Sequence, residues 1–301
     1  MPLLQAQAAL LSLEILERGV IEEIIDIDEM FALIPFANIG TGKSYVYNRE
    51  NTLTEADFLS PYDPVNEGGA TFTQVVTTLK ILAGDVDLDK FLMQTMSDHN
   101  SQLAEQLASK AKGMGRAFRR ALVQGSSAVN AKSFDGLASL CDPSQVILAA
   151  ANGASLTLDM LDELKDQVKL GADCFVMRRS TWRAIRSLLR SFNGNHAETV
   201  MIENFGKPVP AWDGIPIILN DFIPANEVCG TATATTSIYA ARFNEIDGFH
   251  AIYGGPNAGV VVEEVGTIQN KDAVRHRIKW YVATCLKSTL ALARLAGITN
   301  V

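Results

Sequence analysis

The stretch LDKFLMQTMSDHNSQLAEQLASKAKGMGRAFRRALVQG, residues 88–125, carries the longest helical pattern in the chain. Its apolar residues recur every three or four positions, which places their side chains on one face of an α-helix. They are Leu103, Leu107, Ala111, Met114, Phe118 and Leu122. The pattern predicts a helix over Leu88–Val123, with Ser97 or Asp98 as a break or an inner cap. Gly125 is expected to end the helix, because glycine readily adopts the backbone conformation that closes one.

Upstream of this helix, the sequence predicts an extended hairpin over residues 40–75. Tyr45 and Tyr47 mark the first strand, and the β-rich run Thr71–Thr78 marks the returning strand. An excursion of about thirty-five residues is longer than an ordinary loop and indicates either a functional arm or disorder. A turn at Ala83-Gly84-Asp85 is expected to separate the hairpin from the helix.

The beginning of the chain is strongly acidic. Residues 1–30 contain seven acidic residues and a single basic residue, Arg18, with apolar residues between the charges. We interpret this segment as an amphipathic arm, with a short helix that ends near Gly19. The isoleucines of residues 21–27 form a stripe that needs another surface to cover it.

Downstream of the long helix, helical and strand patterns alternate. A turn-rich connector leads to two predicted helices, Leu156–Val168, capped by Ser155 or Thr157, and Ser180–Leu189. The predicted strands are Cys174–Met177, Ile215–Leu219, Ser237–Ala241 and Phe249–Tyr253. Together they indicate a mixed α/β unit over residues 141–257. The tail returns to β structure at residues 259–265 and at Ala273–Thr284, where apolar and basic residues alternate.

One short motif is similar to the end of a phosphate-binding loop, Gly40-Thr41-Gly42-Lys43-Ser44. The first glycine of such a loop is replaced by Ala37, and the residues that follow favour a strand rather than a helix. We interpret the glycines as a turn into the hairpin, with the lysine solvated. Another stretch, Ile215–Asp221, resembles a strand that ends in a magnesium-binding aspartate, but Pro216 predicts an edge strand.

The histidines and cysteines indicate neither a metal site nor a catalytic site. The four histidines show no i,i+4 pairing, and the four cysteines lie far apart without a C-x-x-C pair. No metal and no cofactor is therefore predicted, and the thiols are expected to be reduced in a cytosolic setting. No apolar run approaches the ~20 residues that a membrane-spanning helix needs.

The charge of the chain limits its partners. A net charge of −8 argues against tight nucleic-acid binding, because lysine and arginine supply most of that affinity. Positive charge is nevertheless concentrated in three clusters, which in most proteins are solvated faces. The clusters are Lys110, Lys112, Arg116, Arg119 and Arg120; Arg178, Arg179, Arg183, Arg186 and Arg190; and Arg275, Arg277 and Lys279.

The order of these features resembles the major capsid proteins of tailed phages, which have the Hong Kong ninety-seven-type fold. The resemblance covers nearly the whole chain and depends on order and spacing rather than on one diagnostic motif. The stretches that carry it are Leu79–Gly84, Ala121–Gly125, Phe134-Asp135-Gly136-Leu137, Cys174–Leu189, Trp212–Ile217 and Lys271–Lys279.

The resemblance implies an α+β fold with four parts. These are an N-arm at residues 1–38, an extended E-loop hairpin at 39–75, a peripheral domain with the long spine helix at 76–140 and 258–301, and an axial domain at 141–257. It implies no enzyme activity. It implies a structural protein made in the host bacterial cytoplasm that self-assembles into the hexamers and pentamers of an icosahedral virion capsid around double-stranded DNA.

The resemblance also implies partners and contact residues. The expected partners are other copies of the chain, a separate scaffold protein, a portal, a decoration protein and packaged DNA held by weak, non-specific contacts, with no membrane. A separate scaffold is expected because the sequence reaches the arm directly after Met1. Lys43 lies at the base of the hairpin without a matched asparagine, so crosslinking is unsupported. The candidate inter-subunit contacts are Glu22, Glu23, Lys43, Arg49, Glu55, Asp57, Glu67, Arg116 and Arg119.

Two alternatives stay open at this point. An encapsulin, the shell protein of a bacterial nanocompartment, shares this fold and encloses a cargo enzyme instead of DNA. A nucleotide-binding α/β enzyme that uses Lys43 and Asp221 is the other alternative.

Overall fold

The computed structural model describes residues 30, 33–40, 42–52, 56–63, 67–90, 99–191, 198–201, 208–255 and 259–300. Within these ranges the chain folds into two β-sheets and a separate two-stranded hairpin. One hydrophobic core contains residues of both sheets, and a second core contains residues of the second sheet and of the helices packed on it. The predicted α+β class is confirmed. The predicted N-arm before residue 30 lies outside the described residues.

The first sheet is organised around one long strand. Strand β14 pairs antiparallel with β4 on one edge and with β13 on the other, and its last residues pair with β12, which in turn pairs parallel with β1. The strands are β1 (Phe36–Asn38), β4 (Lys80–Asp89), β12 (Phe249–Tyr253), β13 (Val261–Thr267) and β14 (Ala273–Leu286). The predicted strand at Ala273–Thr284 is therefore confirmed and extends two residues further.

Two expectations about the segment before the long helix are wrong. Residues Ala83-Gly84-Asp85 form no turn but lie inside β4, which stays in register with β14 from Lys80 to Asp89. Leu88 likewise belongs to this strand and not to the helix, whose described part is α1 (His99–Gln124). The side chain of Lys110 on α1 lies over Gly84, where a Cβ would be 2.3 Å from Cε of the lysine.

Helix α1 packs its apolar face on the first sheet. The predicted core residues Leu107, Ala111, Met114, Phe118 and Leu122 are all buried. The ring of Phe118 contacts two other aromatic rings, with centroid distances of 4.8 Å to Trp280 and 5.5 Å to Phe134. This aromatic cluster joins the helix, β14 and the connector that follows the helix.

The C-terminal end of α1 is closed by the Phe134–Leu137 segment, which leads into the short helix α2 (Leu137–Leu140). The N–H of Gly136 donates to the carbonyl of Gly125 at 2.8 Å, and the carboxylate of Asp135 accepts from the N–H and hydroxyl of Ser127. Both glycines lie against backbone: a Cβ would come within 2.3 Å of the Ala121 carbonyl oxygen at Gly125, and within 2.4 Å of it at Gly136. Only glycine fits at these two positions without a shift of the backbone.

The second sheet is mixed, with helices packed against it. Its strand order is β5-β15-β11-β6-β9-β8-β7, and β10 pairs with β11. The helices are α3 (Leu158–Gln167), capped by the side chain of Thr157 as predicted, and α4 (Arg179–Ser191). The strands are β5 (Val146–Leu148), β6 (Cys174–Met177), β7 (Glu198–Met201), β8 (Pro208–Trp212), β9 (Ile215–Leu219), β10 (Glu227–Cys229), β11 (Ala232–Ala241) and β15 (Leu292–Ile298).

The Asp213-Gly214 pair forms the predicted turn between β8 and β9. Both residues have positive φ, 48° and 75°, as a two-residue hairpin turn requires. The expectation that Pro216 marks an edge strand is wrong, because β9 lies between β8 and β6. Pairing with β6 begins only at Ile217, one residue after the proline.

The two sheets divide the chain differently from the implied domain boundaries at three places. Strand β1, within the implied N-arm, pairs in the first sheet. Strand β12, within the implied axial domain, pairs in the first sheet, and β15, within the implied peripheral domain, pairs with β11 and β5 in the second. A 3-10 turn at Thr289–Ala291, capped by Ser288, redirects the chain from one sheet to the other. The assignment of four parts stays a prediction, with β12 and β15 exchanged between the two main units.

We predict that Gly136→Ala destabilises the subunit by about 1–3 kcal/mol, because the added methyl group must displace backbone at the end of α1. Urea unfolding of the purified chain measures the change. Gly113→Ala is the matched control: Gly113 lies inside α1 with open space around it, so the change should stabilise by about 0.5–1 kcal/mol. Equal midpoints for Gly136→Ala and the wild type would contradict this account of the helix end.

Candidate assembly surfaces

The hairpin consists of β2 (Ser44–Thr52) and β3 (Thr71–Thr78), paired antiparallel from Ser44↔Thr78 to Thr52↔Thr71. This confirms the two predicted strands. Side chains alternate along β2, so that Tyr45, Tyr47 and Arg49 are half-buried and the residues between them are exposed. Because an isolated two-stranded ribbon is only marginally stable in water, the ribbon needs contacts on its faces.

The half-buried face is fastened to the end of β14. The hydroxyl of Tyr47 donates to the carbonyl of Leu286 at 2.6 Å. The guanidinium of Arg49 donates to the carbonyls of Leu286 and Lys287, both at 2.8 Å. Residues Tyr47 and Arg49 therefore form a clamp that holds the base of the hairpin on the body of its own subunit.

An aromatic contact extends this clamp. The ring of Tyr45 meets the buried His250 ring edge-on at 6.1 Å, and the ammonium of Lys287 lies 5.6 Å from the Tyr45 ring centroid. Burial lowers the pKa of His250 and raises the pKa of Tyr47, so both groups are held neutral near pH 7. The only charges in the clamp are then those of Arg49 and Lys287.

The far end of the hairpin exposes large apolar side chains. A turn over Ser60–Asp63 is closed by the N–H of Asp63 donating to the Ser60 carbonyl at 3.1 Å. Tyr62 occupies its third position with a positive φ of 74°, where glycine is preferred. The relative exposure of Phe58 is 107% and that of Tyr62 is 105%, and Leu59 is also exposed. We call Phe58, Leu59 and Tyr62 the apolar tip.

The outward face of the ribbon carries three exposed apolar side chains among polar ones. Val46 and Val76 are direct cross-strand partners and are 49% and 54% exposed, and Phe72 on the same ribbon is 66% exposed. Apolar area concentrated on a thin projection marks an interaction surface rather than ordinary surface scatter. The apolar tip is not among the sequence predictions, although three large apolar residues within five positions are a visible signal.

The predicted contact residues do not converge on one site. Lys43, Asp57 and Glu67 are exposed along the hairpin, whereas Arg49 is committed to the clamp. Arg116 is exposed on α1, and Arg119 is partly buried with its guanidinium 5.6 Å from the Phe222 ring. Glu22, Glu23 and Glu55 lie outside the described residues. Their role in subunit contacts stays a prediction.

The geometry gives no support to the nucleotide-loop alternative. Gly40 and Gly42 have positive φ, 70° and 147°, and are followed by strand β2, whereas a phosphate-binding loop is followed by a helix. The carboxylate of Asp221, its suggested magnesium ligand, pairs with Arg179 at 3.3 Å. Across the part of the chain that the structure describes, no group of histidine, cysteine, aspartate and glutamate side chains could hold a metal ion. Within those same ranges, no helix combines the length and apolar character that crossing a bilayer demands.

The third basic cluster is neutralised by neighbouring strands. Arg275 pairs with Asp87 and Arg277 with Asp85 through two hydrogen bonds each, at 2.7–2.9 Å, and Lys279 pairs with Glu263. These hydrogen bonds hold the pKa of Asp87, Asp85 and Glu263 below their ordinary values. We call these three pairs on β4, β13 and β14 the ion-pair ladder.

A small two-sheet body that carries a clamped hairpin with an exposed apolar tip is the form of a subunit completed by packing against other subunits. These features define a shell-forming structural protein. The family model of the phage capsid family matches residues 10–253. The chain belongs to the phage capsid family, and it is a capsid protein that self-assembles into shells.

Solved structures of shell proteins share the fold. The holo-SrpI encapsulin complex from Synechococcus elongatus PCC 7942 matches with a TM-score of 0.71 at 21% identity, over 90% of this chain and 87% of that chain. The capsid of a native GTA particle matches with a TM-score of 0.63 at 17% identity, over 89% of each chain. Microbacterium phage Oxtober96 matches with a TM-score of 0.63 at 14% identity, over 90% of each chain. Among curated proteins, no sequence matches the chain.

We predict that Arg49→Met loosens the hairpin, because it removes the donors to the Leu286 and Lys287 carbonyls but keeps a long apolar stem. Limited chymotrypsin digestion of unassembled subunits should cut at the apolar tip several-fold faster. Glu50→Gln, on the exposed face one residue away, is the control and should leave the rate unchanged. Equal cleavage rates in all three proteins would show that the clamp does not hold the hairpin.

We also predict that the ion-pair ladder stabilises the subunit only above acidic pH. Because the carboxylate pKa values are depressed in the folded state, the stabilisation is present above the ordinary carboxyl pKa of about 4. It is lost as the pH falls through the depressed values. Asp85→Asn should therefore lower the urea midpoint at pH 7 and have little effect near pH 2.

The control for the ladder is Glu264→Gln, an exposed carboxylate on β13 beside it. This change should lower the urea midpoint less than Asp85→Asn at pH 7. Because exposed pairs are screened by salt, 1 M NaCl should also reduce the effect of Asp85→Asn. An Asp85→Asn effect that is independent of both pH and salt would contradict an electrostatic role.

Proposed function

We propose that the chain is the major capsid protein of a tailed phage, which forms the hexamers and pentamers of an icosahedral head around double-stranded DNA. The observation that carries the proposal is the apolar tip at the end of a hairpin whose base is held on its own subunit by the hydrogen bonds of Tyr47 and Arg49. A clamp at one end and exposed apolar rings at the other suit a projection that reaches onto a neighbouring subunit. Membership of the phage capsid family supports the same function.

The energetics favour many such contacts over one strong contact. Burying a large apolar side chain contributes about 1.5–3 kcal/mol, so the three residues of the apolar tip offer several kcal/mol for each subunit. In a closed shell every hairpin makes this contact at once, and the contacts reinforce one another because each holds the next at high effective concentration. A scaffold protein, a portal and a decoration protein belong to this proposal as partners of the shell.

The second candidate function is that of an encapsulin shell around a cargo protein. It is favoured by the TM-score of 0.71 to the SrpI encapsulin, against 0.63 to the GTA capsid and to the Oxtober96 structure. At identities of 21% or less, these values describe the fold and leave the contents of the shell open. The contents therefore decide between the two candidates.

We predict that replacing the apolar tip with serine, as Phe58→Ser, Leu59→Ser and Tyr62→Ser together, abolishes shell formation while the subunit stays folded. Sedimentation velocity and negative-stain micrographs should show particles for the wild type and only small species for the variant. The matched control replaces three exposed apolar side chains elsewhere, Val129, Val228 and Ile246, which are 90%, 74% and 80% exposed. Normal shells from the tip variant would overturn the role of the tip.

The contents of the purified wild-type particles distinguish a phage head from an encapsulin. A phage head produced with its packaging partners should protect double-stranded DNA from added nuclease. An encapsulin should instead carry a co-purifying protein in a fixed ratio and release no protected DNA. A wild-type chain that forms neither shells nor capsomers under any salt or scaffold condition would contradict both candidates.

A further inference from the structure

Helix α4 concentrates positive charge in a chain that is acidic overall. Residues 174–197 contain five arginines and no acidic residue, although the chain has a net charge of −8. Three of these arginines, Arg183, Arg186 and Arg190, are exposed on α4. With 3.6 residues per turn, positions three and seven apart lie within about 60° of one another around the helix. We call these three residues the arginine stripe.

Packing fixes the direction in which the arginine stripe points. Trp182, Ile185 and Leu189 are buried in the core of the second sheet, so the opposite side of α4 faces outward. A shallow surface depression of about 440 Å³ on α4 is lined by Arg183 and Arg190, but not by Arg186, together with Ala184, Ser187, Leu188 and Asn300. Hydroxyl and amide groups beside guanidinium groups are the donors that commonly contact phosphate oxygens.

The arginine stripe is one of the basic groups that the fold leaves exposed, and Arg116 on α1 is another. All three basic residues of the third cluster are paired with carboxylates in the ion-pair ladder. In the first cluster, Lys110 lies across Gly84, and Arg119 and Arg120 lie 5.6 Å and 5.7 Å from the Phe222 ring. Within the second cluster, Arg178 donates to the carbonyl of Ile223 and Arg179 pairs with Asp221.

The residues of the arginine stripe have no acidic partner among the described residues. The one hydrogen bond that they make within those residues joins Nε of Arg190 to the carbonyl of Arg186 on the same helix, at 3.2 Å. Their charges are therefore not neutralised by the described part of this chain. Such a surface is free to contact an anionic partner.

We propose that the arginine stripe is the surface through which this shell protein contacts the phosphate backbone of double-stranded nucleic acid, without sequence specificity. The proposal rests on the proposed function, since it names the part of the subunit that touches the enclosed polymer. Seven residues of helix span about 10 Å, and duplex DNA presents about six phosphates over that length. Three guanidiniums along this span can pair with phosphates on one side of the duplex, and arginine suits phosphate because it donates two parallel hydrogen bonds.

An acidic peptide is the other class of partner for such a surface. The regular spacing of the charges along a straight helix favours a stiff polyanion, because a flexible peptide loses conformational freedom when it is held along the stripe. The experiment below therefore compares the binding of an acidic peptide with the binding of DNA.

The test measures binding of a fluorescein-labelled 30-base-pair DNA to purified chain by anisotropy between 50 and 200 mM NaCl. Contact with about three phosphates predicts a slope of about −2.7 for log K against log salt, so affinity should fall about 40-fold over this range. The variant Arg183→Gln, Arg186→Gln and Arg190→Gln should bind at least ten-fold more weakly at 100 mM NaCl and should lose most of that slope.

The charge-matched control is Lys132→Gln, Lys169→Gln and Lys271→Gln, which removes three exposed positive charges elsewhere. It should keep the wild-type slope and bind within about two-fold of the wild type. The proposal is overturned if the control loses as much affinity as the stripe variant, since net charge alone would then account for binding. It is also overturned if the stripe variant binds like the wild type, or if a 20-residue polyglutamate binds the stripe more tightly than the DNA.

Micrographs of the same preparations separate this inference from the proposed function. The stripe variant should still form shells, with a lower ratio of absorbance at 260 nm to 280 nm in purified particles. Shells that form normally from the variant with undiminished nucleic acid overturn the stripe and leave the shell function intact. A wild-type chain that never assembles, yet binds DNA through the stripe, overturns the shell function and leaves the stripe intact.

Discussion

The structure depends on the pairing of a single strand, β14. Its first ten residues pair with β4 along their whole length, while the same stretch pairs with β13 on its other edge. Its last residues pair with β12 and are buried on both faces. The carbonyls of Leu286 and Lys287, at and just beyond its end, hold the hairpin through the clamp. The first sheet, the packing surface of α1 and the base of the hairpin therefore share one strand, so an error in its register would misplace all three.

Elements set by local residue patterns could be predicted from the sequence, whereas those set by pairing with β14 could not. Alternation of apolar and basic residues from Val274 to Val282 identifies β14, because period-two burial is a local property. The Asp213-Gly214 turn is equally local, since the positive φ values are set by the residues themselves. The turn expected at Ala83-Gly84-Asp85 failed because pairing with β14 overrides a local Gly-Asp signal. The side chain of Lys110, 26 residues further along the chain, lies over Gly84, and no local pattern reveals that contact.

The hairpin likewise combines features that are visible in the sequence with features that are not. The two strands of the hairpin are visible in the sequence, and so are the three closely spaced apolar residues of the apolar tip. The clamp was not predictable, because Arg49 donates to backbone carbonyls more than 230 residues away, and a carbonyl carries no signature in the sequence. Arg49 therefore looked like a free surface charge suited to a neighbouring subunit. The fold shows that the hydrogen bonds of Arg49 are made within its own chain. It also shows that the large side chains exposed at the end of the hairpin are the apolar ones of the apolar tip.

The three basic clusters show most clearly what sequence composition leaves undetermined. Each is a dense group of arginine and lysine in an acidic chain, and no property of the residues alone separates them. Strand register distinguishes the third cluster from the other two. It places Arg275 opposite Asp87 and Arg277 opposite Asp85, so these basic residues form neutral pairs. Helix packing separates the second, because burying Trp182, Ile185 and Leu189 forces the arginines of α4 outward, where no acidic strand runs beside them among the described residues. The electrostatic surface of the subunit is thus decided by pairing geometry, and a net charge of −8 is compatible with a locally positive face.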